Sequence, residues 1–187
     1  MSRIVFIDLE TTGFSRQYND IIEVAAILYD QGTRKALDTF HEYIKPVKSI
    51  PYKITEITGI DDYKVRDARS EVEVLRDFFE WLHLHGPSAI VGHNYKSFDH
   101  TFLKAKAEKY KIAYPAIEII DTLQEARKAT KDGKLPIPNH QQTTIATHFG
   151  IDYQAHSAIE DIKALIKIYE KLGLNSSKEQ KRANLGF

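Results

Sequence analysis

The sequence predicts an α/β fold built on a mixed β-sheet, and three observations support that prediction. Residues 4–9 form an unbroken apolar run, which is the pattern of a strand buried on both faces of a sheet. Two more β-rich runs, joined by short turns, follow at 21–29 and 37–44. After residue 70, apolar residues recur at helical spacing, and helices alternate with short strands. We expect a sheet of five strands flanked by helices.

The three N-terminal runs are predicted to pair as an antiparallel meander. Asp30-Gln31-Gly32-Thr33 supplies the turn between the second and third strands, and Pro46 ends the third. Residues 16–20 are interpreted as a loop before the second strand. Consecutive β-runs with short connections of this kind are typical of hairpins and meanders.

The rest of the chain is predicted to alternate helices with parallel strands. Ser70 and Glu73 have the spacing of a capping box, which starts a helix that Gly86-Pro87 ends. Asp121 and Asn139 are the predicted N-caps of two later helices. The other predicted elements are strands at 89–91 and 117–120 and helices at 98–110, 121–128, 139–149 and 159–172.

Length and apolar patterning set the expected domain limits. At 187 residues, the chain is long enough for one well-cored domain and too short for two ordinary ones. We expect the α/β domain to occupy residues 1–172. Residues 173–187 are expected to form a flexible C-terminal tail, because 175–182 are polar and charged.

Composition excludes several classes of site. The chain has no cysteine, which removes disulfides and thiolate metal sites and is compatible with the cytoplasmic location that we expect. No run of 18 apolar residues occurs, and the N-terminal apolar run is too short for a signal peptide, so we expect no membrane partner. The 26 basic and 26 acidic residues balance, so bulk charge does not predict a nucleic-acid partner.

Asp8 and Glu10 stand two positions apart at the C-terminal end of the first strand, and the two-residue period of a strand puts both carboxylates on one face. Unpaired carboxylates there are costly unless a cation or a proton neutralises them, and hard oxygen ligands suit Mg²⁺ or Mn²⁺. The alternative is that both acids simply face water. The turn Thr11-Thr12-Gly13 follows directly and could present backbone N–H groups to a phosphate or a sugar.

Two further polar clusters lie at the starts of helices. Residues 92–99 follow a short apolar strand, at the position where α/β sheets place their ligand crevice. Asp99 in that cluster would also serve as an ordinary helix cap. His156 is predicted just before the last helix and Asp161 in its first turns, with Ala158 permitting close approach.

Taken in this order, the clusters resemble the DEDDh family of 3′–5′ exonucleases, which includes the proofreading (epsilon) subunits of bacterial DNA polymerase III. The resemblance runs from about residue 3 to residue 172. The stretches that carry it are Asp8-x-Glu10-Thr11-Thr12-Gly13, His93-Asn94 with Asp99, His156-x-Ala158-x-x-Asp161, and the shorter Thr58-Gly59-Ile60 and Asp121-Thr122-Leu123.

The resemblance implies an RNase H-like fold and hydrolysis of phosphodiester bonds from 3′ ends, with release of 5′-mononucleotides. It implies two Mg²⁺ or Mn²⁺ ions, whose ligands would be Asp8, Glu10, Asp99 and Asp161. His156 would be the general base that deprotonates the attacking water. The implied substrate-binding residues are Leu9, Thr11, Thr12, Gly13, Phe14, His93, Asn94 and Phe98. Phe14 occupies the position of an apolar wedge against terminal bases, which favours single-stranded or frayed ends.

Three positions depart from the pattern of the proofreading subunits. Leu9 stands where Thr is common, and Gly92 and Tyr95 stand where small alanines are usual. Tyr95 adds bulk near the predicted site and therefore bears on sequence or sugar preference. The resemblance favours DNA as the substrate, and a 3′–5′ exoribonuclease of the same family is the alternative.

Two other functional classes are alternatives to an exonuclease. A haloacid dehalogenase-type phosphatase also begins with an acid pair after an apolar strand, but it needs Asp where this chain has Glu10. Nothing in that class requires His156. A non-catalytic nucleic-acid-binding module on the same fold is disfavoured, because every catalytic position is filled.

The expected partner is nucleic acid with a free 3′ end, and a DNA polymerase or a sliding clamp is a further candidate. Gln180, Leu185 and Phe187 loosely resemble a clamp-binding peptide, although their spacing differs. Two basic stretches, 104–111 and 127–134, are interpreted as solvated helix faces, with contact to a phosphate backbone as the alternative.

Overall fold

The computed structural model describes residues 3–152 and 157–174, in which a six-stranded sheet is flanked by helices. The strands are β1 (Arg3–Thr11), β2 (Ile21–Asp30), β3 (Lys35–Lys45), β4 (Arg69–Ser70), β5 (Ala89–Gly92) and β6 (Glu118–Asp121). The helices are α1 (Tyr52–Thr58), α2 (Glu71–His85), α3 (Asp99–Tyr110), α4 (Thr122–Lys131), α5 (Gln142–His148) and α6 (Ala158–Lys171). The strand order across the sheet is β4-β3-β2-β1-β5-β6.

The predicted antiparallel meander followed by parallel strands is confirmed. β2 pairs antiparallel with both β1 and β3, whereas β5 pairs parallel with β1 and with β6. The predicted count of five strands is wrong by one, because Arg69–Ser70 adds a short strand parallel to the end of β3. Two residues are too few to show a strand period, so only the pairing identifies β4.

Helix boundaries follow the predicted caps, with two exceptions. Asp121 accepts a hydrogen bond from the backbone N–H of Leu123 at 3.0 Å, as an N-cap should. Helix α5 begins at Gln142, later than expected, with Gln141 at the N-cap position. Asn139 Oδ1 accepts from the N–H of Gln141 at 3.0 Å in the turn that precedes the helix. Helix α1 was not predicted, since its seven residues are too few to show an apolar stripe.

Strand β1 separates two apolar layers. Its odd-numbered residues Val5, Ile7 and Leu9 belong to a core cluster shared with α2 and α3. Its even-numbered residues Ile4 and Phe6 belong to a second cluster shared with α6. Because successive side chains alternate across a strand, the even-numbered acids at the end of β1 fall on the face that α6 covers.

Lys106 corrects the interpretation of residues 104–111 as a solvated face. Its side chain is buried, and Nζ lies 3.0 Å from Glu71 Oε1 and 3.2 Å from Asp20 Oδ1. Lys104, on the same helix, is exposed as expected. A charged residue inside a basic stretch is therefore an internal ion-pair partner here.

The predicted general base His156 and most of the predicted C-terminal tail lie outside the described residues. Of the helices within 3–152 and 157–174, none has the length and apolar character that crossing a membrane demands.

Candidate functional site

Four predicted acidic residues meet beside the C-terminal end of β1. Asp8 and Glu10 are half-buried on the strand, and Asp161 lies in the first turn of α6. Asp99 is buried as the first residue of α3, and its Oδ1 accepts the backbone N–H of Leu9 at 3.2 Å. β1 continues beyond its last pairing with β5, at Phe6, so Asp99 takes the hydrogen bond that a neighbouring strand would otherwise accept.

The acids on β1 are electrostatically strained. Burial raises the pKa of Asp8 well above its usual range, and repulsion from Asp99, Glu10, Asp161 and Glu23 raises it further. Burial, followed by repulsion from Glu23, Asp161 and Asp99, raises the pKa of Glu10 to about 8. Each shift shows that the ionised form lacks a compensating positive charge. A bound cation would supply that charge.

Asp99 shares this environment although it is hydrogen-bonded. Burial raises the pKa of Asp99 to about 7 even though the backbone N–H groups of Asp99 and Leu9 donate to it, and repulsion from Asp121 adds to the rise. Hydrogen bonds to a carboxylate normally lower its pKa, so burial and repulsion outweigh them here.

Glu23 is a neighbour of the site that the sequence analysis did not select. It is buried on β2 directly opposite Glu10, and its Oε1 lies 2.6 Å from His41 Nε2. A possible signal was its position, since it is the acid inside the apolar run of 21–29. Two acids facing each other across an antiparallel pair are destabilising unless a cation lies between or beside them.

The donor set fits a hard divalent cation by its chemistry. Every proposed donor is a carboxylate oxygen, and the group carries excess negative charge. Within residues 3–152 and 157–174, however, no three His, Asp or Glu side chains are already arranged to hold an ion. The carboxylates are nevertheless close enough to repel one another.

The turn after the acid pair is closed by its own side chains. Thr11 Oγ1 donates to the carbonyl of Gly13 at 2.7 Å, and Thr12 N–H donates to the carbonyl of Asp20 at 2.9 Å. Gly13 is required here, because a Cβ would meet Asn19 Oδ1 at 2.8 Å and its φ is 156°. The N–H of Thr12, which was expected to face a ligand, is therefore used within the loop.

Phe14 and Phe98 come together as an aromatic pair. Phe14 is 86% exposed at the tip of this turn, and its ring centroid lies 6.2 Å from that of Phe98 in an edge-on arrangement. Phe98 is half-buried, and its ring centroid lies 5.1 Å from that of Phe102, a core residue. An exposed ring supported by a held one is suited to contact with a nucleobase.

Leu9 occupies a different place from the other predicted substrate-binding residues. Its side chain is buried in the core cluster with Val5 and Ile7, on the opposite face of β1 from Asp8. The strand alternation that aligns the acids necessarily turns Leu9 away from them. The Leu9 side chain is thus separated from the acids by the strand, and the assignment of Leu9 as a substrate-binding residue stays a prediction.

His93 and Asn94 are held by hydrogen bonds to residues on and near α4. His93 Nδ1 lies 3.0 Å from Thr122 Oγ1, and Nε2 lies 3.0 Å from the carbonyl oxygen of His140. Burial lowers the pKa of His93, which favours the neutral ring. Asn94 adopts a left-handed φ of 61°, and its N–H donates to Asp121 Oδ1 at 3.1 Å. Asp121 thus positions the loop that leads to Asp99.

The two departures at Gly92 and Tyr95 are structurally linked. Tyr95 is completely buried and belongs to the core cluster, with its hydroxyl 3.4 Å from that of Tyr114. A Cβ on Gly92 would meet Tyr95 Cβ at 2.7 Å, so the glycine makes room for the ring. The expectation that Tyr95 adds bulk to the substrate site is wrong, because the ring fills the core instead.

Gln142 is a second neighbour of the site that the sequence analysis did not find. From the first position of α5, its Nε2 donates to the backbone carbonyl of Asp161 at 2.9 Å and to Asp161 Oδ1 at 3.3 Å. This contact joins residues on two helices, and no local pattern in the sequence indicates it.

Comparison with protein families gives a match over most of the chain. The exonuclease family model named RNase_T matches residues 5–169. A DNA polymerase III of PolC type from Bacillus subtilis is 35% identical over 170 residues, covering 90% of this chain and 11% of the polymerase. A PolC-type polymerase from Caldanaerobacter subterraneus subsp. tengcongensis is 35% identical over 169 residues, with the same coverage. The chain therefore spans about a tenth of the length of these relatives.

Solved structures show the same fold. The nuclease domain of 3′hExo, described as a DEDDh family member bound to rAMP, superposes with a TM-score of 0.77 and is 21% identical. That match covers 94% of this chain and 93% of the other. Escherichia coli Exonuclease I in complex with a dT13 oligonucleotide superposes with a TM-score of 0.78 at 18% identity, covering 99% and 43% of the two chains.

Proposed function

This chain belongs to the DEDDh family of 3′–5′ exonucleases, and on that premise we propose that it shortens DNA from its 3′ end and releases 5′-mononucleotides. The family assignment makes it a nuclease. The proposal of 3′-end hydrolysis rests on one observation, the cluster of four carboxylates at the end of β1. The cluster consists of Asp8, Glu10, Asp99 and Asp161.

We assign these four carboxylates as the ligands of two Mg²⁺ or Mn²⁺ ions, since members of the family generally use divalent metal ions. Such ions stabilise the attacking water and the leaving 3′-oxygen in a phosphoryl displacement. The chain itself contributes the orientation of the acids. Asp99 is held by the N–H of Leu9 on β1, and Asp161 is held by Gln142 on α5, so the two acids that do not belong to β1 are each positioned by a hydrogen bond.

His156 is proposed as the general base. It stands two residues before α6, whose first turn contains Asp161, and it completes the family motif. His93, the other histidine of the predicted clusters, has hydrogen-bond partners at both ring nitrogens and a lowered pKa. It is therefore a positioning residue rather than a proton acceptor for water.

The exposed Phe14 ring supports a preference for single-stranded or frayed 3′ ends. A base that is already unstacked can meet the ring without the energy needed to open a duplex end. DNA is favoured over RNA because the relatives at 35% identity are DNA polymerases. The 3′hExo structure holds rAMP, so a 3′–5′ exoribonuclease is retained as the alternative.

Association with a DNA polymerase or a sliding clamp, and a cytoplasmic location, are further proposals for this chain. The PolC-type relatives are polymerases of which this chain spans 11%, so association with a DNA polymerase or a sliding clamp is a proposal. The clamp-like residues Gln180, Leu185 and Phe187 lie outside the described residues. Cytoplasmic location, expected from the cysteine-free sequence, also stays a prediction.

One gel tests the proposed function. 5′-labelled DNA and RNA of identical sequence are incubated with Mg²⁺, with Mn²⁺ and with EDTA, beside an Asp8→Asn variant. We expect a ladder that shortens from the 3′ end on DNA, only with a metal ion and only with the wild-type protein. A ladder on RNA alone would establish the exoribonuclease, and a product cut internally would contradict exonuclease action.

A further inference from the structure

A cavity of about 660 Å³ opens beside the carboxylate site and is not used by the proposed catalytic residues. It lies between the loop after β5, the start of α4 and the segment before α5. Its walls include His93, Asn94, Leu123, Arg127, Pro138 and Gln142. The cavity is large enough for a nucleotide, which falls within the size range of small-ligand sites.

The cavity is joined to the catalytic site by hydrogen bonds. Gln142, which lines it, donates from Nε2 to both the backbone carbonyl and Oδ1 of Asp161. His93, on the other wall, is held at both ring nitrogens by Thr122 and His140. A ligand in the cavity would therefore lie next to a proposed metal ligand and against a fixed wall.

The chemistry of the lining matches a nucleotide. Among the residues that the structure describes, no carboxylate lines the cavity, and the one lining side chain with a permanent positive charge is the guanidinium of Arg127. Within the described residues, no ion pair engages that guanidinium, and the side chain is exposed. Leu123 and Pro138 add apolar surface, while amides can hydrogen-bond a base. Arginine is the side chain best matched to two oxygens of one phosphate.

The basic residues of the stretch 127–134 lie in two different environments. Arg127 lines the cavity, whereas Lys128, Lys131 and Lys134 are exposed and do not. Consecutive residues of a helix point about 100° apart, so Arg127 and its neighbour Lys128 face different surroundings. Of the two interpretations given to this stretch, phosphate contact suits Arg127 and a solvated face suits the lysines.

We propose that this cavity is a nucleotide subsite for the substrate strand, in which Arg127 binds a backbone phosphate outside the bond being cut. The inference rests on the proposed function, because it assumes that the strand reaches Asp161. It adds a second contact region to the one formed by Phe14 and Phe98. A strand held at both regions would be aligned at the carboxylates by two separate contacts.

The matched variants Arg127→Gln and Lys128→Gln test the proposal. Both remove one exposed positive charge from α4, and only the first removes it from the cavity. We expect Arg127→Gln to raise the KM for a single-stranded DNA octamer about tenfold with kcat within about twofold, since it removes a charge-assisted hydrogen bond. The slope of log KM against log salt should fall by about 0.7, the value for one phosphate contact on a single strand. Lys128→Gln should change neither quantity.

A binding measurement separates this inference from the proposed function. Fluorescence anisotropy of a labelled DNA octamer in EDTA needs no catalysis, and Arg127→Gln should weaken binding while Lys128→Gln does not. If the wild type fails to shorten DNA but Arg127→Gln still binds the octamer more weakly than the wild type does, the subsite is upheld and the exonuclease proposal is overturned. Equal effects of both variants on binding, or no effect of Arg127→Gln, would overturn the subsite. Thermal unfolding of each variant, with a Tm expected within about 2 °C of wild type, checks that both fold.

Discussion

Glu10 and Glu23 lie directly opposite each other where β1 pairs with β2. Glu23 has His41 at 2.6 Å, whereas burial and repulsion from neighbouring acids raise the pKa of Glu10. The pairing therefore places a negative side chain against a negative side chain at the centre of the sheet. This arrangement makes the folded protein sensitive to pH and to divalent ions.

The metal-free protein is expected to lose stability as pH rises. Folding raises the pKa of Glu10 from 4.5 to about 8. The stability that the protonated Glu10 contributes to the folded state is therefore fully present below pH 4.5 and is lost as pH rises through about 8. Thermal unfolding in EDTA should show Tm falling between pH 5 and 9, by roughly 2–4 °C for each kcal/mol lost. Saturating Mn²⁺ should remove much of the fall. Glu10→Gln should make the fall shallower but not abolish it, because the pKa values of Asp8 and Asp99 are also raised on folding. A fall as steep in Glu10→Gln as in the wild type would show that Glu10 does not contribute to it.

Asp8→Asn is expected to abolish activity, weaken ion binding and leave the fold intact or more thermostable. The physical reason is that Asp8 is repelled by the acids around it when no ion is present. Calorimetric titration with Mn²⁺ and thermal unfolding in EDTA measure the two effects separately. Unchanged metal affinity together with normal activity would remove Asp8 from the mechanism.

Phe14→Ala should raise the KM for single-stranded DNA more than it lowers kcat. The ring is 86% exposed, so the variant should fold normally and lose only a contact to the terminal base, worth about 1–3 kcal/mol. Steady-state kinetics on single-stranded and blunt duplex ends check this. Tyr18→Ala is a suitable control, since Tyr18 is 75% exposed on the same loop. Equal rates on both kinds of end, unaffected by Phe14→Ala, would argue against the wedge.

His156→Ala should lower kcat by roughly 10²–10⁴-fold, the usual contribution of a positioned general base. Mn²⁺ affinity should hardly change, because the proposed ligands are carboxylates. Part of the lost rate should return at higher pH, where hydroxide replaces the water that His156 activates. Kinetics from pH 6 to 10, with a parallel Mn²⁺ titration, measure both. Lost metal binding would make His156 a ligand instead.

Lys106→Met should destabilise the protein by about 3–5 kcal/mol, since it removes the nearer and buried ammonium partner of the Glu71 carboxylate and leaves only the exposed Lys109 at 3.9 Å. Tyr110 would still donate to Glu71 Oε2 at 2.5 Å, which limits the loss. Urea unfolding gives the difference in free energy. The control is Lys104→Met on the same helix, which is exposed and should change stability by less than about 0.5 kcal/mol. Similar losses in both variants would show that the ion pair contributes little.

Much of the candidate site could be predicted because it depends on short-range order. The two-residue period of β1 is sufficient to align Asp8 with Glu10, and the cap at Asp121 follows from side-chain chemistry within one helical turn. The order of strands in the meander likewise follows from short connections. The sequence alone therefore determined the fold class and the family, because local periods and motif spacings can be recognised in the sequence without any knowledge of tertiary contacts.

The tertiary structure decided which neighbours those residues have. Tyr95 fills the core against Gly92, Glu23 faces Glu10, and Gln142 reaches Asp161. Lys106 is buried while Lys104 on the same helix is exposed, although both belong to one basic stretch. Except for Gly92 and Tyr95, these contacts join separate elements, and burial depends on what packs against a helix face. Contacts between elements and the burial of single side chains do not follow from a local sequence period, so only the folded arrangement of the elements determines them.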